Sequence, residues 1–347
     1  MKKFITVFGL LAVSALALTG CGKSKETLKV YNAGEYIDTS LISKFEKANK
    51  CKVVYETFDS NETMYTKIMS GENYDVLVPS DYMIERLIKE DKLEKIDWDK
   101  ITNKDNLNPD TLGQAYDPNQ EYAVPYFYGT VGILYDTTVV DEKDLADGWN
   151  LLNNTKYKDN IYMYDSERDS FMIALKSLGY SMNTTDKSEI DQAYQWLIAQ
   201  RNSMNPIYAG DDVIDNMISG NKAMAVVYSG DGAYIMSEND KLDFFEPEEG
   251  TNTWYDAMVI MKGTKHSELA HKFINFMLDN DNAAANSAEV GYTSPVTKAY
   301  EQMKSEDYKG IDAYAPNTGN EKNEVFRYQD TEIKQYFADL WTKVKAY

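Results

Sequence analysis

The stretch from Asn73 to Leu93, NYDVLVPSDYMIERLIKEDKL, places a strand, a short polar turn and an amphipathic helix directly after one another. The apolar run at 75–78 is too short for a helix and is bounded by turn residues, which is typical of a strand covered on both faces. Pro79 ends this run, and a side-chain oxygen in the turn can cap the helix that follows. Ligands of open α/β sheets bind beyond the carboxyl ends of the strands, so residues 80–82 lie where a ligand would be met, although a plain helix cap is the simpler interpretation.

The alternation of strand and helix extends on both sides of this unit. Before it, strands are predicted at 28–31 and 53–55, with helices between them. Three strands that alternate with helices favour parallel pairing with right-handed crossovers. After it, strands are predicted at 161–164, near 207 and at 223–228, and helices at 168–178, 186–200, 212–219, near 234, 267–278, 282–289 and 331–345. The helix through 200 is expected to begin with a capping box made by Asp186 and Glu189.

Two extended segments are predicted to connect the lobes. Residues 121–135 indicate two extended runs joined near Gly129, and 254–261 indicates an extended return crossing. The predicted fold class is therefore α/β, with two lobes, a hinge and a central cleft. The predicted boundaries place residues 28–133 and 257–300 in one lobe and residues 134–256 and 301–347 in the other.

The N-terminus has the pattern of an export signal. Lys2 and Lys3 precede an apolar stretch at 4–18 that is shorter than a membrane span and ends in small residues. The following residues, Leu18-Thr19-Gly20-Cys21, are typical of a bacterial lipobox, at which the signal is cut and Cys21 receives a lipid. We therefore predict a signal peptide at 1–20 and a lipidated tether at 21–27, which anchors the exported protein at the outer face of the cell membrane. A soluble secreted chain is the alternative.

The charge of the chain excludes one class of partner. With 347 residues and a formal charge of −20, it shows no cluster of Lys and Arg for phosphate recognition, so no nucleic acid is expected to bind. A cationic partner is compatible with this charge. The 27 Tyr residues supply amphipathic rings that serve pockets as well as cores. Once Cys21 carries lipid only Cys51 remains, so no disulfide is expected and Cys51 is predicted to be buried.

Acids and aromatic residues occur together in the loops at the predicted strand ends. These loops are 32–36 (NAGEY), 79–82 (PSDY), 165–169 (DSERD) and 228–231 (YSGD), and 254–256 (WYD) lies at the return crossing. A cleft lined by rings and acids suits an organic polycation, because carboxylates pair with ammonium groups and ring faces hold cationic or methylene segments. Taken singly, each ring could be a core residue and each acid a helix cap. Only the joint pattern indicates a binding site.

Motifs of enzymes are mostly absent. The sequence has no nucleophile elbow, no phosphate-binding loop and no dinucleotide fingerprint. His266 and His271 miss the spacing of a helical zinc pair and have no obvious third ligand. The sequence thus predicts no catalytic residue, no metal and no cofactor. An exported carboxylate-based hydrolase remains the alternative from another class, because its two acids need no local motif.

Several blocks of the sequence resemble the PotD/PotF-type polyamine-binding proteins, the solute receptors of bacterial ABC importers. The blocks include LKVYNAGEYID, YDVLVPSDYMIERLIK, YAVPYFYGTVGILYD, EEGTNTWYDAMVI and GYTSP, and the resemblance covers nearly the whole chain after the signal. It implies a Venus-flytrap fold, one polyamine (spermidine or putrescine) in the cleft, delivery to the transmembrane subunits of an ABC permease, and a monomeric receptor without enzymatic activity. Another small cationic solute is the alternative ligand.

The resemblance also implies, position by position, which residues form the site. It assigns an aromatic box to Tyr36, Tyr82, Tyr228, Trp254 and Tyr292, amine-binding acids to Asp169 and Asp256, and polar neighbours to Ser80 and Glu35. The chain departs from the family at Ala33 and Tyr228, where Trp is frequent, and at Gly34, where Thr or Ser is frequent. It also departs at Ser166, where some members have a second Asp, and at Asp169, where Glu is frequent. These departures leave the preferred ligand length open, and nothing is assigned near Arg327.

Overall fold

The structure is a computed structural model that describes residues 25–346. The predicted signal peptide and the predicted lipidation site at Cys21 lie outside the described residues. No helix within 25–346 combines the length and the apolar character that crossing a membrane requires.

Strands and helices alternate along most of the chain. The strands are β1 (Thr27–Ala33), β2 (Lys52–Phe58), β3 (Val76–Leu77), β4 (Leu93–Glu94), β5 (Ala123–Asp136), β6 (Ile161–Tyr164), β7 (Ile207–Ala209), β8 (Met224–Tyr228), β9 (Leu242–Phe245) and β10 (Thr253–Met261). The helices are α1 (Thr39–Asn49), α2 (Asn61–Met69), α3 (Asp81–Lys89), α4 (Glu167–Ser177), α5 (Lys187–Met204), α6 (Val213–Ile218), α7 (Ser229–Glu238), α8 (Ser267–Met277), α9 (Asn280–Val290), α10 (Thr297–Ser305) and α11 (Thr331–Lys345). Short 3-10 helices lie at Lys104–Asn106, Pro109–Thr111, Glu142–Asn153, Thr155–Tyr157 and Asp312–Tyr314.

The first three strands pair as the sequence predicts. β1 runs parallel to both β2 and β3, and the crossovers between them are α1 and α2. Ser60 caps α2 and forms a capping box with Thr63. α3 follows β3 after three residues and buries Met83, Ile84 and Leu87, because apolar residues spaced three and four apart share one helix face. This βα unit sets Ser80 and Tyr82 at the carboxyl end of β3.

β5 belongs to two halves of the sheet. Its residues 123–130 pair with β10, whereas 131–135 pair with β8 and 133–136 pair with β9, all antiparallel. The sequence predicts two extended runs joined near Gly129, but the structure shows one continuous strand. We call β1–β4, β10 and 123–130 the first half of the sheet, and β6–β9 with 131–136 the second half.

The second half repeats the α/β pattern. β6 runs parallel to β7 and β8, and α4, α5 and α11 pack together around Phe171, Leu197 and Phe337. The predicted capping box at α5 is wrong. Asp186 accepts a hydrogen bond from the Ser188 N–H at 2.8 Å, but the Glu189 carboxylate accepts one from the Thr184 hydroxyl instead. Because Thr184 offers a hydroxyl donor, Glu189 does not turn back to the N-cap backbone.

The one cysteine among the described residues is buried. Cys51 is 2% exposed and has no disulfide partner among the described residues, which confirms the prediction of a buried thiol. The elements β9 and α10 were not predicted. β9 is a four-residue edge strand, and α10 has a strongly polar sequence with only Ala299 and Met303 buried, so neither has a strong hydrophobic pattern.

Candidate ligand-binding cleft

A row of aromatic rings lies between the two halves of the sheet. Tyr36 meets Tyr292 at a centroid distance of 5.7 Å, Tyr292 meets Trp254 at 5.3 Å, Trp254 meets Tyr228 at 6.0 Å and Tyr228 meets Tyr164 at 5.0 Å. Each pair is edge to face, with interplanar angles from 67° to 79°. We call these five residues the ring row. The structure thus brings together four of the five predicted box residues, and it adds Tyr164, the last residue of β6.

Three carboxylates border the ring row, and each accepts a hydrogen bond from one of its tyrosines. The hydroxyls of Tyr36, Tyr292 and Tyr228 donate to Asp256 (2.6 Å), Asp231 (2.9 Å) and Asp169 (3.0 Å), respectively. We call these carboxylates the three acids. Within residues 25–346 none of them forms an ion pair with a basic side chain.

Asp256 lies in β10 opposite the first turn of α3. It forms an isolated antiparallel bridge with Ser80, whose hydroxyl and backbone N–H are both held by the side chain of Asn61. Burial raises the pKa of Asp256, while hydrogen bonds from Tyr36 and Ser80 act in the opposite direction. Ser80 therefore helps to keep this carboxylate available for a cation.

Asp169 lies in the first turn of α4 and is 3% exposed. Ser166, the N-cap of the helix, accepts a hydrogen bond from the Asp169 N–H at 3.3 Å. Burial raises the pKa of Asp169, and the hydrogen bonds from Ser166 and Tyr228 oppose this shift. Ser166 thus orients the acid, at the position where some family members have an Asp.

Asp231 is a candidate site acid in one of the loops that the sequence analysis singled out, although it was not among the assigned site residues. It lies in the first turn of α7, where it resembles an ordinary helix cap, so its position in the 228–231 loop was the only available signal. In the structure it faces Tyr292. Burial raises the pKa of Asp231 to about 7, against the effect of the hydrogen bond from Tyr292.

Tyr82 lies at the edge of the cleft rather than in the ring row. The guanidinium carbon of Arg168 is 3.7 Å from the centroid of the Tyr82 ring, and Arg168 Nη2 is 3.0 Å from Glu62 Oε1. Arg168 belongs to α4, whereas Glu62 and Tyr82 belong to α2 and α3. This cluster therefore joins the two sides of the cleft, and neither Arg168 nor Glu62 was predicted.

Other predicted positions lie apart from the three acids. Glu35 is exposed, in a left-handed backbone conformation with φ of 48°, and the neighbouring Gly34 faces open space. Asp81 serves the backbone, since its two oxygens accept hydrogen bonds from the N–H groups of Tyr82 and Tyr255. Burial raises the pKa of Asp81 to about 8.

The segment near Arg327, which the sequence left unassigned, contacts α3. The Arg327 guanidinium forms two hydrogen bonds with the Glu85 carboxylate, at 2.8 and 3.0 Å, and the Tyr328 N–H donates to the same carboxylate at 2.7 Å. Glu85 lies one turn after Tyr82. The C-terminal segment therefore braces the helix that carries part of the cleft.

Chemically, the cleft can bind an extended organic cation. Its three acids lack basic partners among the described residues, and buried carboxylates favour a counter-charge. The rings between them offer faces and edges for methylene and ammonium groups. Within 25–346 no group of three or more His, Cys, Asp or Glu side chains has a geometry suited to a metal ion.

Comparisons with known proteins place the chain among transport receptors. Residues 40–314 match the family described as bacterial extracellular solute-binding protein. The spermidine/putrescine-binding periplasmic protein of Salmonella typhimurium is 34% identical over 352 residues, and the match covers 97% of each chain.

Two solved structures agree with this placement. The spermidine/putrescine ABC transporter substrate-binding protein PotD from Streptococcus pneumoniae is 37% identical with a TM-score of 0.81, over 92% of this chain and 98% of the other. A putative spermidine/putrescine ABC transporter protein from Listeria monocytogenes is 38% identical with a TM-score of 0.83, over 93% and 99% of the two chains. The predicted α/β fold with two lobes, a hinge and a central cleft is confirmed.

Proposed function

The chain belongs to the bacterial extracellular solute-binding proteins, and we propose that it captures a polyamine, spermidine or putrescine, between its lobes and delivers it to the permease of an ABC importer. The names of its relatives support this ligand class. The observation in this chain that carries the proposal is the set of three acids, each held by a tyrosine of the ring row and none paired with a basic residue of the described chain.

The geometry fits the chemistry of a polyamine. Putrescine has two amino groups and spermidine has three, all of which carry charge at neutral pH because alkyl amines have pKa values of about 10. Charged donors form the stronger class of hydrogen bonds with carboxylates, and the methylene segments between them suit ring faces. A ligand that matches the spacing of the acids leaves no buried charge unpaired, which gives specificity for length.

The proposed binding residues keep all the sequence-based assignments and extend them. They are Glu35, Tyr36, Ser80, Tyr82, Asp169, Tyr228, Trp254, Asp256 and Tyr292, to which we add Asp231 and Tyr164 because they complete the acids and the ring row. No catalytic role is proposed for any of them. The exported hydrolase considered from the sequence is not favoured, because the chain's family is one of solute-binding proteins.

Membrane attachment and lobe movement complete the proposal. Cleavage before Cys21 and lipidation of its side chain would hold a monomeric receptor at the outer face of the membrane, next to its permease. Residues 28–133 and 257–300 would move as one lobe and residues 134–256 and 301–347 as the other. The change of β5 partners between Thr130 and Val131 supports a hinge near the first boundary. Closure would exclude water from the bound charges.

Calorimetric titration tests the ligand. Protein that begins at Gly22, refolded to remove any ligand carried through purification, is titrated with putrescine and then with spermidine. Tight one-to-one binding of either is the expected result, and the ratio of the two affinities identifies the preferred length. If neither produces heat on folded protein, the polyamine assignment is wrong, and a screen of other small cationic solutes follows.

A further inference from the structure

Helix α9 carries two neighbouring buried polar residues that are connected to the candidate cleft by hydrogen bonds. Asn286 is 3% exposed and Ser287 is fully buried. Neither side chain reaches the three acids. Each instead helps to hold the backbone of a tyrosine that donates to one of these acids. Ser287 does so directly, and Asn286 does so through another side chain.

Asn286 holds the loop that carries Tyr36. Its Oδ1 accepts a hydrogen bond from the Asp38 N–H at 2.9 Å, and its Nδ2 donates to the Tyr126 hydroxyl at 3.0 Å. The Tyr126 hydroxyl in turn donates to the Tyr36 carbonyl at 2.6 Å. Asn286 therefore holds the loop directly at Asp38 and, through Tyr126, at Tyr36, which are the residues on either side of Ile37.

Ser287 holds the segment that carries Tyr292. Its hydroxyl donates to the Tyr292 carbonyl at 2.5 Å and shares a hydrogen bond of 2.8 Å with the Tyr314 hydroxyl. α9 ends at Val290, and the next residue, Gly291, caps it with a left-handed φ of 86° and donates its N–H to the Ser287 carbonyl. The chain can therefore turn sharply at this point and place Tyr292 beside the helix that orients it.

We propose that α9 is the positioning element of the cleft, in which Asn286 fixes Tyr36 and Ser287 fixes Tyr292. This inference rests on the proposed polyamine function and adds two residues that do not contact the ligand. Because Tyr36 and Tyr292 touch each other and donate to Asp256 and Asp231, one helix holds both of the tyrosines that orient these two acids. Binding groups held by rigid elements are ordered before the ligand arrives, which lowers the entropic cost of binding.

The same helix provides a matched control. Asn282 lies one turn before Asn286 and is also 3% exposed, and its amide also makes two hydrogen bonds, with the Lys44 ammonium and the Phe276 carbonyl. These partners lie away from the ring row. Asn282→Ala therefore removes a comparable buried amide from α9 without releasing a tyrosine of the cleft.

The test measures putrescine and spermidine affinities of Asn286→Ala, Ser287→Ala and Asn282→Ala by calorimetry, together with their thermal stabilities. We expect the first two variants to weaken binding about tenfold, the effect of one net hydrogen bond, whereas Asn282→Ala lowers the melting temperature but leaves Kd unchanged. Asn286→Ala is then combined with Tyr36→Ala, and Ser287→Ala with Tyr292→Ala. The effect of Asn286→Ala should vanish in a Tyr36→Ala background, and that of Ser287→Ala in a Tyr292→Ala background.

A readout without ligand separates this inference from the proposed function. Amide hydrogen exchange across residues 33–38 should accelerate in Asn286→Ala and stay unchanged in Asn282→Ala. Accelerated exchange in a protein that binds neither polyamine would reject the ligand and retain the positioning role. Additive effects on Kd in the tyrosine backgrounds, or equal losses of affinity in Asn282→Ala and Asn286→Ala, would overturn the inference.

Discussion

At the scale of single residues, the cleft depends on carboxylates that accept hydrogen bonds from phenol hydroxyls and form no ion pair with a basic side chain of the described residues. A tyrosine hydroxyl satisfies one lone pair of each acid but supplies no positive charge, so burial still disfavours the ionised form. Accordingly, burial raises the pKa of Asp169, Asp231 and Asp256. A bound cationic ligand would favour the ionised form and so lower these pKa values again. The three side chains whose ionisation burial disfavours are therefore the ones that would recognise the charge of the ligand.

Substitution of one acid tests charge recognition directly. Asp256→Asn keeps the shape of the side chain but removes its charge, so we expect polyamine affinity to fall by about 2–5 kcal/mol, at least thirtyfold in Kd. The matched control is Asp243→Asn, because Asp243 also accepts a tyrosine hydroxyl, that of Tyr135 at 3.0 Å, but lies in β9 outside the cleft. Calorimetry checks both variants. Equal affinities of Asp256→Asn and the parent protein would remove Asp256 from the site.

The raised pKa of Asp231 predicts that ligand binding depends on pH. Burial raises this pKa to about 7, opposed by the hydrogen bond from Tyr292 and reinforced by the nearby Asp211. Below pH 7 a polyamine must therefore displace a proton, so affinity should fall on acidification and protons should be released on binding. Titrations at pH 6 in buffers of different ionisation enthalpy measure this release. It should shrink in Asp231→Asn, and an undiminished release would assign it to other groups.

The same shift has the opposite consequence for stability without ligand. A carboxyl whose folded pKa exceeds its unfolded value, about 4, contributes stability below the unfolded pKa and loses this contribution as pH rises through the folded pKa. Asp231 should therefore stabilise the ligand-free fold increasingly from pH 8 down to pH 5. Thermal unfolding across this range should show a flatter pH dependence in Asp231→Asn. An identical slope in both proteins would place the Asp231 pKa in its usual range.

At the scale of elements, the sequence predicts best where a strong periodicity meets a turn. The unit of β3 and α3, the parallel strands around it and the bounds of α11 follow from apolar spacing and caps alone. β9 and α10 each bury only two residues, so their apolar pattern is too short to identify them. Tyr164 was not predicted and Asp231 was not assigned to the site, because a strand end and a helix start are ordinary places for a tyrosine and an aspartate. Their meeting with Tyr228 and Tyr292 depends on tertiary packing between β6, α7 and the segment after α9.

The first turn of α7 offers a test of how closely elements approach at the site. A Cβ at Gly230 would lie 1.8 Å from Cδ1 of the Tyr292 ring, so Gly230→Ala must displace that ring. We expect overpacking to cost about 1–3 kcal/mol of folding stability and to weaken polyamine binding. Gly34→Ala is the control, since an added Cβ there meets nothing within 4 Å. Thermal unfolding and calorimetry measure both effects, and unchanged binding by Gly230→Ala would mean that the position of Tyr292 is unimportant.

At the scale of the whole molecule, three segments converge where the lobes meet. β5 changes partners after Thr130, and the chain enters β10 from residues 251–252. The C-terminal segment is bonded to the entry of β10. The Glu324 N–H donates to the Thr251 carbonyl at 3.0 Å, and the Thr253 N–H donates to the Glu324 carbonyl at 2.8 Å. The same segment then braces α3 through Arg327 and Glu85. The proposed movement of the lobes would therefore have to be accommodated at these three connected segments.

The cluster of Arg168, Glu62 and Tyr82 is the cross-cleft contact whose removal should change the kinetics of release. Arg168→Ala deletes a partly exposed ion pair and a cation–π contact, together worth about 1 kcal/mol, so ligand dissociation should accelerate roughly fivefold. Lys67→Ala is the control, because Lys67 of α2 and Glu56 of β2 form an ion pair at 2.7 Å between two elements on the same side of the cleft. Stopped-flow displacement gives the rates, and small-angle scattering should show a smaller ligand-induced compaction in Arg168→Ala than in Lys67→Ala. Equal rates and equal compaction in the two variants would show that the cluster does not hold the lobes together, and closure would then depend on the ligand, the three acids and other contacts such as that of Arg327 with Glu85.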